Sequence, residues 1–238
     1  MKSEEVKKEL RKYASPERKK TNERFCKTGE GEYGEHDRFL GIKGPDIRAA
    51  AKKYADLDLK DLGELLSSEF NEDRVCALRI LVDRFARKKT TKKEKEEIYK
   101  FFVKNLKNVN NWNLVDISAP HIMGEYLAEN KSESNILDKL SSSKFHWHRR
   151  ASILATWAFT KRSDLKHTFK YSKKLLHDRE DLMHKAVGWM LREAWKIDGV
   201  KTEEFLIENY DDLPRTALRY AVERMDEEKR LKFLKGSF

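Results

Sequence analysis

Trp112 and Asp116 lie four residues apart in Asn110-Asn-Trp-Asn-Leu-Val-Asp-Ile-Ser-Ala-Pro120-His, a spacing that sets an indole and a carboxylate on one face of a helix. Pro120 has no N–H, so in a helix that runs through it the carbonyl of Asp116 loses its usual donor and the helix bends. A carboxylate beside an indole at a bent helix is a place for chemistry. A core Trp with a capping or ion-paired Asp is the other reading, and spacing alone does not separate the two. Lys185, Trp189, Arg192 and Lys196 fall at i, i+4, i+7 and i+11 on one helical stripe. Three cations interleaved with an aromatic suit a sugar-phosphate backbone: the cations neutralise phosphates and the indole packs on sugar C–H groups or on a cation. Its alternative is a solvated basic face around a core Trp.

The run Phe145-His-Trp-His-Arg-Arg150-Ala151 adds two cations, Arg149 and Arg150, at a helix start. His146 and His148 are two residues apart, about 200° around a helix, and do not make a metal pair. The remaining histidines show no ligand spacing. Cys26 and Cys76 stand alone without Cys-x-x-Cys spacing, which suits a reducing compartment and argues against a disulfide framework or thiolate zinc site. No Gly-x-Ser-x-Gly, phosphate loop or dinucleotide fingerprint occurs, and no metal or cofactor is expected.

The elements that must position these residues are helices. Glycine (10) and proline (4) are scarce in 238 residues, so the turn-rich composition of a sandwich or barrel is missing. Apolar residues recur at helical spacing, as in Val75, Leu78, Leu81, Val82 and Phe85. Helix starts are legible at Ser15-Pro16, Gly44-Pro45 and Leu213-Pro214, and cap oxygens or early acidic charge at Asn71-Glu-Asp, Asn111 and Ser134. About a dozen helices with short joints are expected. The exception is Thr28 to Gly44, which holds Gly29, Gly31, Gly34, Gly41 and Gly44 and reads as a functional loop. Its glycines are too acidic or too sparse in setting to make a phosphate cradle.

Ala49, Ala77, Leu114, Ala151, Ala186 and Ala217 open successive helical runs at separations of 28, 37, 37, 35 and 31 residues. Such a period is produced by helix-pair solenoids of the HEAT type, in which stacking supplies the core that no single unit has. The expected fold is therefore all-α, a right-handed solenoid of HEAT-like two-helix repeats with a concave basic groove, as one domain over residues 1–238. Lys+Arg 51 against Asp+Glu 41 gives a net charge of +10, which points to a polyanionic partner. The longest stretch free of charged residues is Ala151 to Thr160, too short to span a membrane. The first residues, Met1-Lys-Ser-Glu-Glu-Val-Lys-Lys, lack the apolar core of a secretory signal. A cytoplasmic protein is expected, nucleoid-associated when bound to DNA.

Four segments in order carry a resemblance: Phe39-Leu-Gly-Ile-Lys-Gly-Pro-Asp-Ile-Arg48, Asn111-Trp-Asn-Leu-Val-Asp116, Trp147-His-Arg-Arg-Ala-Ser-Ile-Leu154 and Lys185-Ala-Val-Gly-Trp-Met-Leu-Arg192-Glu. Over nearly its whole length the sequence resembles the DNA alkylation repair glycosylases of the AlkD type, built from HEAT-like repeats. The resemblance implies that Asp116 is the catalytic aspartate, that Trp112 and Trp189 embrace the deoxyribose of the damaged nucleotide, and that Arg150 lines the same cleft. It places Arg48, Arg192 and Lys196 against the DNA backbone and brings Gly44 and Pro45 near the opposite strand; Arg149, Lys161, Arg162 and Lys185 are further DNA-binding positions. Phe25 falls where the family can have Tyr. Two departures stand out: Ala158 and Thr160 occupy positions where some relatives carry lysine, with Lys161 and Arg162 following at once, and Asn113 stands where Asp is common.

The implied activity is that of a monofunctional glycosylase acting on N3- and N7-alkylated purines in duplex DNA, without strand cleavage and without flipping the base, as a monomer that begins base excision repair. A non-catalytic HEAT-like protein that recognises distorted or branched DNA is the alternative, and a peptide-binding scaffold is a third.

Overall fold

The computed structural model of the chain describes residues 2–238, and these pack as two compact units, the first ending at Met123 and the second running Gly124–Phe238. The first unit contains α1 (Lys2–Arg11), α2 (Pro16–Phe25), α3 (Gly44–Lys53), α4 (Leu59–Leu66), α5 (Asn71–Ala86), α6 (Lys92–Lys104) and α7 (Trp112–Ser118). The second contains α8 (Glu125–Glu129), α9 (Ile136–Ser141), α10 (His146–Ala155), α11 (Trp157–Thr160), α12 (Lys166–Leu175), α13 (Asp181–Trp195), α14 (Gly199–Glu208), α15 (Arg215–Ala221) and α16 (Glu227–Lys235). Among the described residues the only β-pairing is the single bridge of Arg38 with Phe70. The fold is all-α.

Side-chain caps explain several helix starts. Ser15 accepts from Arg18 N–H ahead of Pro16, Asp58 from Asp61, Asp198 from Lys201 and Asp226 from Lys229, while Thr91 and Glu94 form a reciprocal capping box. Two expected starts differ. Asn71 is the first helical residue and Phe70 the cap, because the Asn71 amide is engaged elsewhere. Ser134 ends a short 3₁₀ turn at Lys131–Glu133, and α9 begins at Ile136. Sixteen α-helices are described, more than the dozen expected, in part because two long runs break. One break is at Pro120: the missing N–H is accommodated by a π-helical turn, Pro120–Gly124, between α7 and α8. The other is at Thr156, between α10 and α11.

The period seen in sequence maps onto packing. Its six markers lie on α3, α5, α7, α10, α13 and α15. Within the first unit α3 packs on α5 and α5 on α7; within the second, α10 packs on α13 and α13 on α15. Within each unit, each marker helix thus covers the next, as stacking in a helical solenoid requires. Ala77, Leu114, Ala151, Ala186 and Ala217 are buried. Ala49 is exposed and its neighbour Ala50 fills the core position, so the first marker is off by one residue. Small residues set the closest approach: a Cβ on Gly188 of α13 would meet the Ala217 carbonyl of α15 at 2.3 Å, leaving room for hydrogen alone.

Candidate functional site

On α7, Leu114, Val115 and Ser118 face the core, whereas Trp112, Asn113, Asp116 and Ile117 form the half-exposed face. The expected placement of Trp112 and Asp116 on one accessible face is therefore met. Trp112, Asn113 and Ile117 line a cavity of about 340 Å³. Phe25, Phe39, Ile42, Gly44, Ile47, Arg18 and Arg79 contribute to its wall.

A buried polar network fixes the start of α7. The Asp37 carboxylate, in the glycine-rich loop, accepts from Asn111 Nδ2 (2.8 Å), from Asn71 Nδ2 (2.9 Å) and from the Arg74 guanidinium. Asn111 Oδ1 accepts the Trp112 N–H at 2.8 Å. Asn113 Nδ2 donates to Asn71 Oδ1 at 2.7 Å, and Arg74 Nη1 to Asn110 Oδ1 at 3.1 Å. Residues 110 and 113 are thereby tied to α5, and residue 111 to it through Asp37, on either side of Trp112. A network of this kind specifies one orientation of the helix, since rotation would break the bonds that Asn110, Asn111 and Asn113 make. Asn113, where Asp is common in the resemblance, spends its side chain here.

The same loop wraps a second carboxylate. Glu72, in the first turn of α5, accepts the backbone N–H groups of Leu40 (2.9 Å), Gly41 (2.9 Å) and Ile42 (3.2 Å). Gly41 has φ +80°, and a Cβ there would lie 2.1 Å from the Ser15 carbonyl, so only glycine fits. These amides serve an internal carboxylate, which agrees with the reading that the loop is not a phosphate cradle. α3 follows, with Gly44, Pro45 and Arg48 all exposed.

In the second unit, Lys185, Trp189, Arg192 and Lys196 lie together on the side of α13 turned away from its buried residues. The cations have internal partners: Lys185 with Asp181 at 2.7 Å, Lys196 with Glu193 at 2.7 Å, and Arg192 with Glu223. Lys161 and Arg162 both reach Glu125, at 2.5 and 2.8 Å. Exposed pairs of this kind are each worth about 0–1 kcal/mol, so a phosphate can take the carboxylate's place. Arg149 is different. It holds the buried Asp178 through Nε at 2.5 Å and Nη2 at 3.0 Å and donates to the carbonyls of Ser143 and Lys144. Arg150 is buried, and its Nη1 donates to the Leu182 carbonyl of α13. Both arginines thus tie α10 to neighbouring backbone. Ala158 and Thr160 are core, with Thr160 hydrogen-bonded to Thr168 at 2.7 Å. Burial lowers His146 and His148 from their ordinary value, so neither adds charge at neutral pH.

A profile of the family described as DNA alkylation repair enzyme matches residues 6–225. The chain belongs to that family. The match spans every candidate site residue named above. Among solved structures, one described as a predicted DNA alkylation repair enzyme from Enterococcus faecalis superposes with a TM-score of 0.69 over 90% of this chain and 97% of that one, at 17% identity. At that identity the likeness speaks for the fold. No curated protein matches the sequence.

For this member of the family, the two cysteines are buried and free, and burial pushes each thiol up to about 12. Among the described residues, no group of three or more His, Cys, Asp or Glu is placed to hold a metal, and no helix is long and apolar enough to cross a membrane. Sequence reasoning missed Asp37, Glu72 and Arg79. Glu72 was legible as early acidic charge on α5, but its partners are about thirty residues upstream, and Asp37 gives no local signal.

Proposed function

We propose that the chain, acting as one functional domain, is a monofunctional DNA glycosylase that hydrolyses the N-glycosidic bond of N3- and N7-alkylated purines in duplex DNA, leaving the base in the helix and the strand uncut. The observation that carries this reading is the accessible Trp112–Asp116 face of α7, set in orientation by the Asp37–Asn71–Arg74–Asn111 network. Alkylation at N3 or N7 gives the base a formal positive charge, so the bond breaks toward a neutral leaving group and an oxocarbenium-like sugar, with no general acid required. An ionised Asp116 stabilises the charge developing on the sugar and directs water to it. The Trp112 indole adds cation–π and C–H/π attraction to the same species. Preorganisation matters because a carboxylate that must reorient during the reaction loses much of its electrostatic advantage.

In this reading Trp189 supplies a second aromatic face. Arg150 lines the cleft while its Nη1 holds α13 through the Leu182 carbonyl. Arg48, Arg192, Lys196, Lys185, Lys161 and Arg162 exchange solvent or carboxylate partners for phosphates. Leaving the base in the duplex departs from the usual extrusion strategy, and restricts substrates to lesions whose bond is already weakened.

The test is release of N7-methylguanine and N3-methyladenine from labelled duplex by wild type and Asp116→Asn, with duplex binding measured in parallel. Release lost by about 10²-fold or more with binding retained supports the reading, that being the usual scale for removing one electrostatic stabiliser. Binding without release by wild type on either lesion would replace it with a non-catalytic DNA-binding protein.

A further inference from the structure

The wall of the cavity beside Trp112 carries more positive charge than its carboxylate can offset. Arg79 of α5 lies on the stripe Asn71, Glu72, Val75, Arg79 that borders the cavity, and Arg18 of α2 borders it as well. Arg48 of α3 reaches the same wall: its Nη1 would stand 3.4 Å from a Cβ on Gly44, and Gly44 is itself a lining residue. Glu72 is the one acidic residue lining the cavity, and its oxygens already serve three backbone N–H groups and the Asn22 amide.

Arg79 is half-buried, and within the described residues neither it nor Arg48 has a carboxylate at ion-pairing distance. The other partly or fully buried arginines of the unit all have hydrogen-bond partners. Arg74 pairs with Asp37, and Arg84 donates to the Ala55 and Leu57 carbonyls. Burial first and the Arg48 charge second lower the Arg79 guanidinium from its ordinary value, with Asp83 opposing; the two guanidinium groups thus feel each other. α3 also begins here without a side-chain cap, so the positive end of its dipole adds to the same region. A half-buried cation without a partner, next to a second one, is costly until an anion arrives.

We propose that Arg79 and Arg48 together form a phosphate clamp, with Arg79 the second and previously unassigned guanidinium, and that its ligand is a single phosphodiester of the DNA strand passing the cavity beside Trp112. The ligand assignment rests on the DNA reading above; the anion site itself does not. Two planar guanidinium forks on one phosphate fix both its position and its orientation, and so set the register of the strand against α7.

The experiment compares wild type, Arg79→Met, Arg48→Met and the double variant. Binding is measured on an undamaged duplex as a function of salt, so that loss of excision activity does not bear on the outcome. Each single variant is expected to lower the slope of log K against log salt by about 1. The double variant is expected to lower it by about 1 as well, because the single phosphate docks only when both guanidiniums hold it. A loss of about 2 in the double variant would mean two separate contacts and overturn the clamp, as would an unchanged slope in Arg79→Met. Circular dichroism melting of each variant ensures that a folded protein is compared, and Arg79→Lys is expected to keep the slope while losing affinity. A second arm titrates inorganic phosphate against chloride at equal ionic strength. A rise in wild-type Tm that Arg79→Met lacks shows that the site also takes free phosphate, and it decides the anion site even if no duplex binds. Absence of both duplex and phosphate effects overturns the proposal.

Discussion

Asp37 is the residue on which the geometry of α7 turns. Its carboxylate meets the buried Arg74, Asn71 at the start of α5 and Asn111 at the start of α7, so its removal leaves a buried guanidinium without a counter-charge. Asp37→Leu is expected to lower unfolding stability by about 3–5 kcal/mol, the usual cost of breaking a buried pair from one side, read as a shifted urea midpoint at unchanged m. Asp37→Asn keeps the shape and part of the hydrogen bonding, and is expected to remain folded with a reduced kcat for base release and a nearly unchanged KM, because the Trp112–Asp116 face loses orientation before the protein loses affinity. A stability loss below about 1 kcal/mol for Asp37→Leu would show that the network is not what holds the helix. Arg149 teaches the complementary lesson: an arginine in a basic run also has a structural task, which its bidentate partner Asp178 reveals.

At the scale of elements, Glu125 in α8 joins Lys161 and Arg162, which follow α11. Burial pushes its carboxyl up, but hydrogen bonds and charge from Lys161 and Arg162 outweigh this and hold it below its ordinary value of 4.5. A carboxyl depressed in the folded state contributes stability that is present above its unfolded value and disappears as pH falls through its folded value. The stability difference between wild type and Glu125→Gln should therefore be full at pH 7 and shrink as pH drops below about 4.5. An equal difference at pH 7 and at pH 3, by thermal melting, would show that the carboxylate's charge is not involved. Freed from Glu125, Lys161 and Arg162 should also bind duplex somewhat more tightly. α13 shows how tightly elements are coupled: Trp189 and Arg192 ride on a helix whose spacing from α15 is set by Gly188 lying against the Ala217 carbonyl.

For the whole molecule, the net charge of +10 is the quantity that meets the partner, yet the structure shows many cations already paired, among them Lys185, Arg192 and Lys196. Duplex binding should displace exposed carboxylates from these pairs and release counterions from the DNA. If roughly six phosphates are neutralised, affinity should fall about a thousandfold between 50 and 200 mM salt. A peptide-binding scaffold of the same fold predicts a nearly flat dependence, so a titration across that range separates the two. The fit to the family profile over residues 6–225 concerns the whole chain in the same way: it reports a fold and a repair role, while the reaction depends on individual side chains.

The sequence by itself determined the helical class, the stacking period and the shared face of Trp112 and Asp116, because these follow from local periodicities of a single helix and from small residues recurring at repeat spacing. It also determined the break at Pro120, since a missing N–H is a covalent fact; that the break takes the form of a π turn was decided by the surrounding fold. Only the tertiary structure decided what each polar side chain is for. Glu72 binds amides about thirty residues away, Asp37 meets Asn111 seventy-four residues on, and Arg149 belongs to Asp178. Contacts between residues so far apart have no period to betray them. They are chosen by which burial leaves no donor or acceptor unpaired, a condition set by the packed chain as a whole.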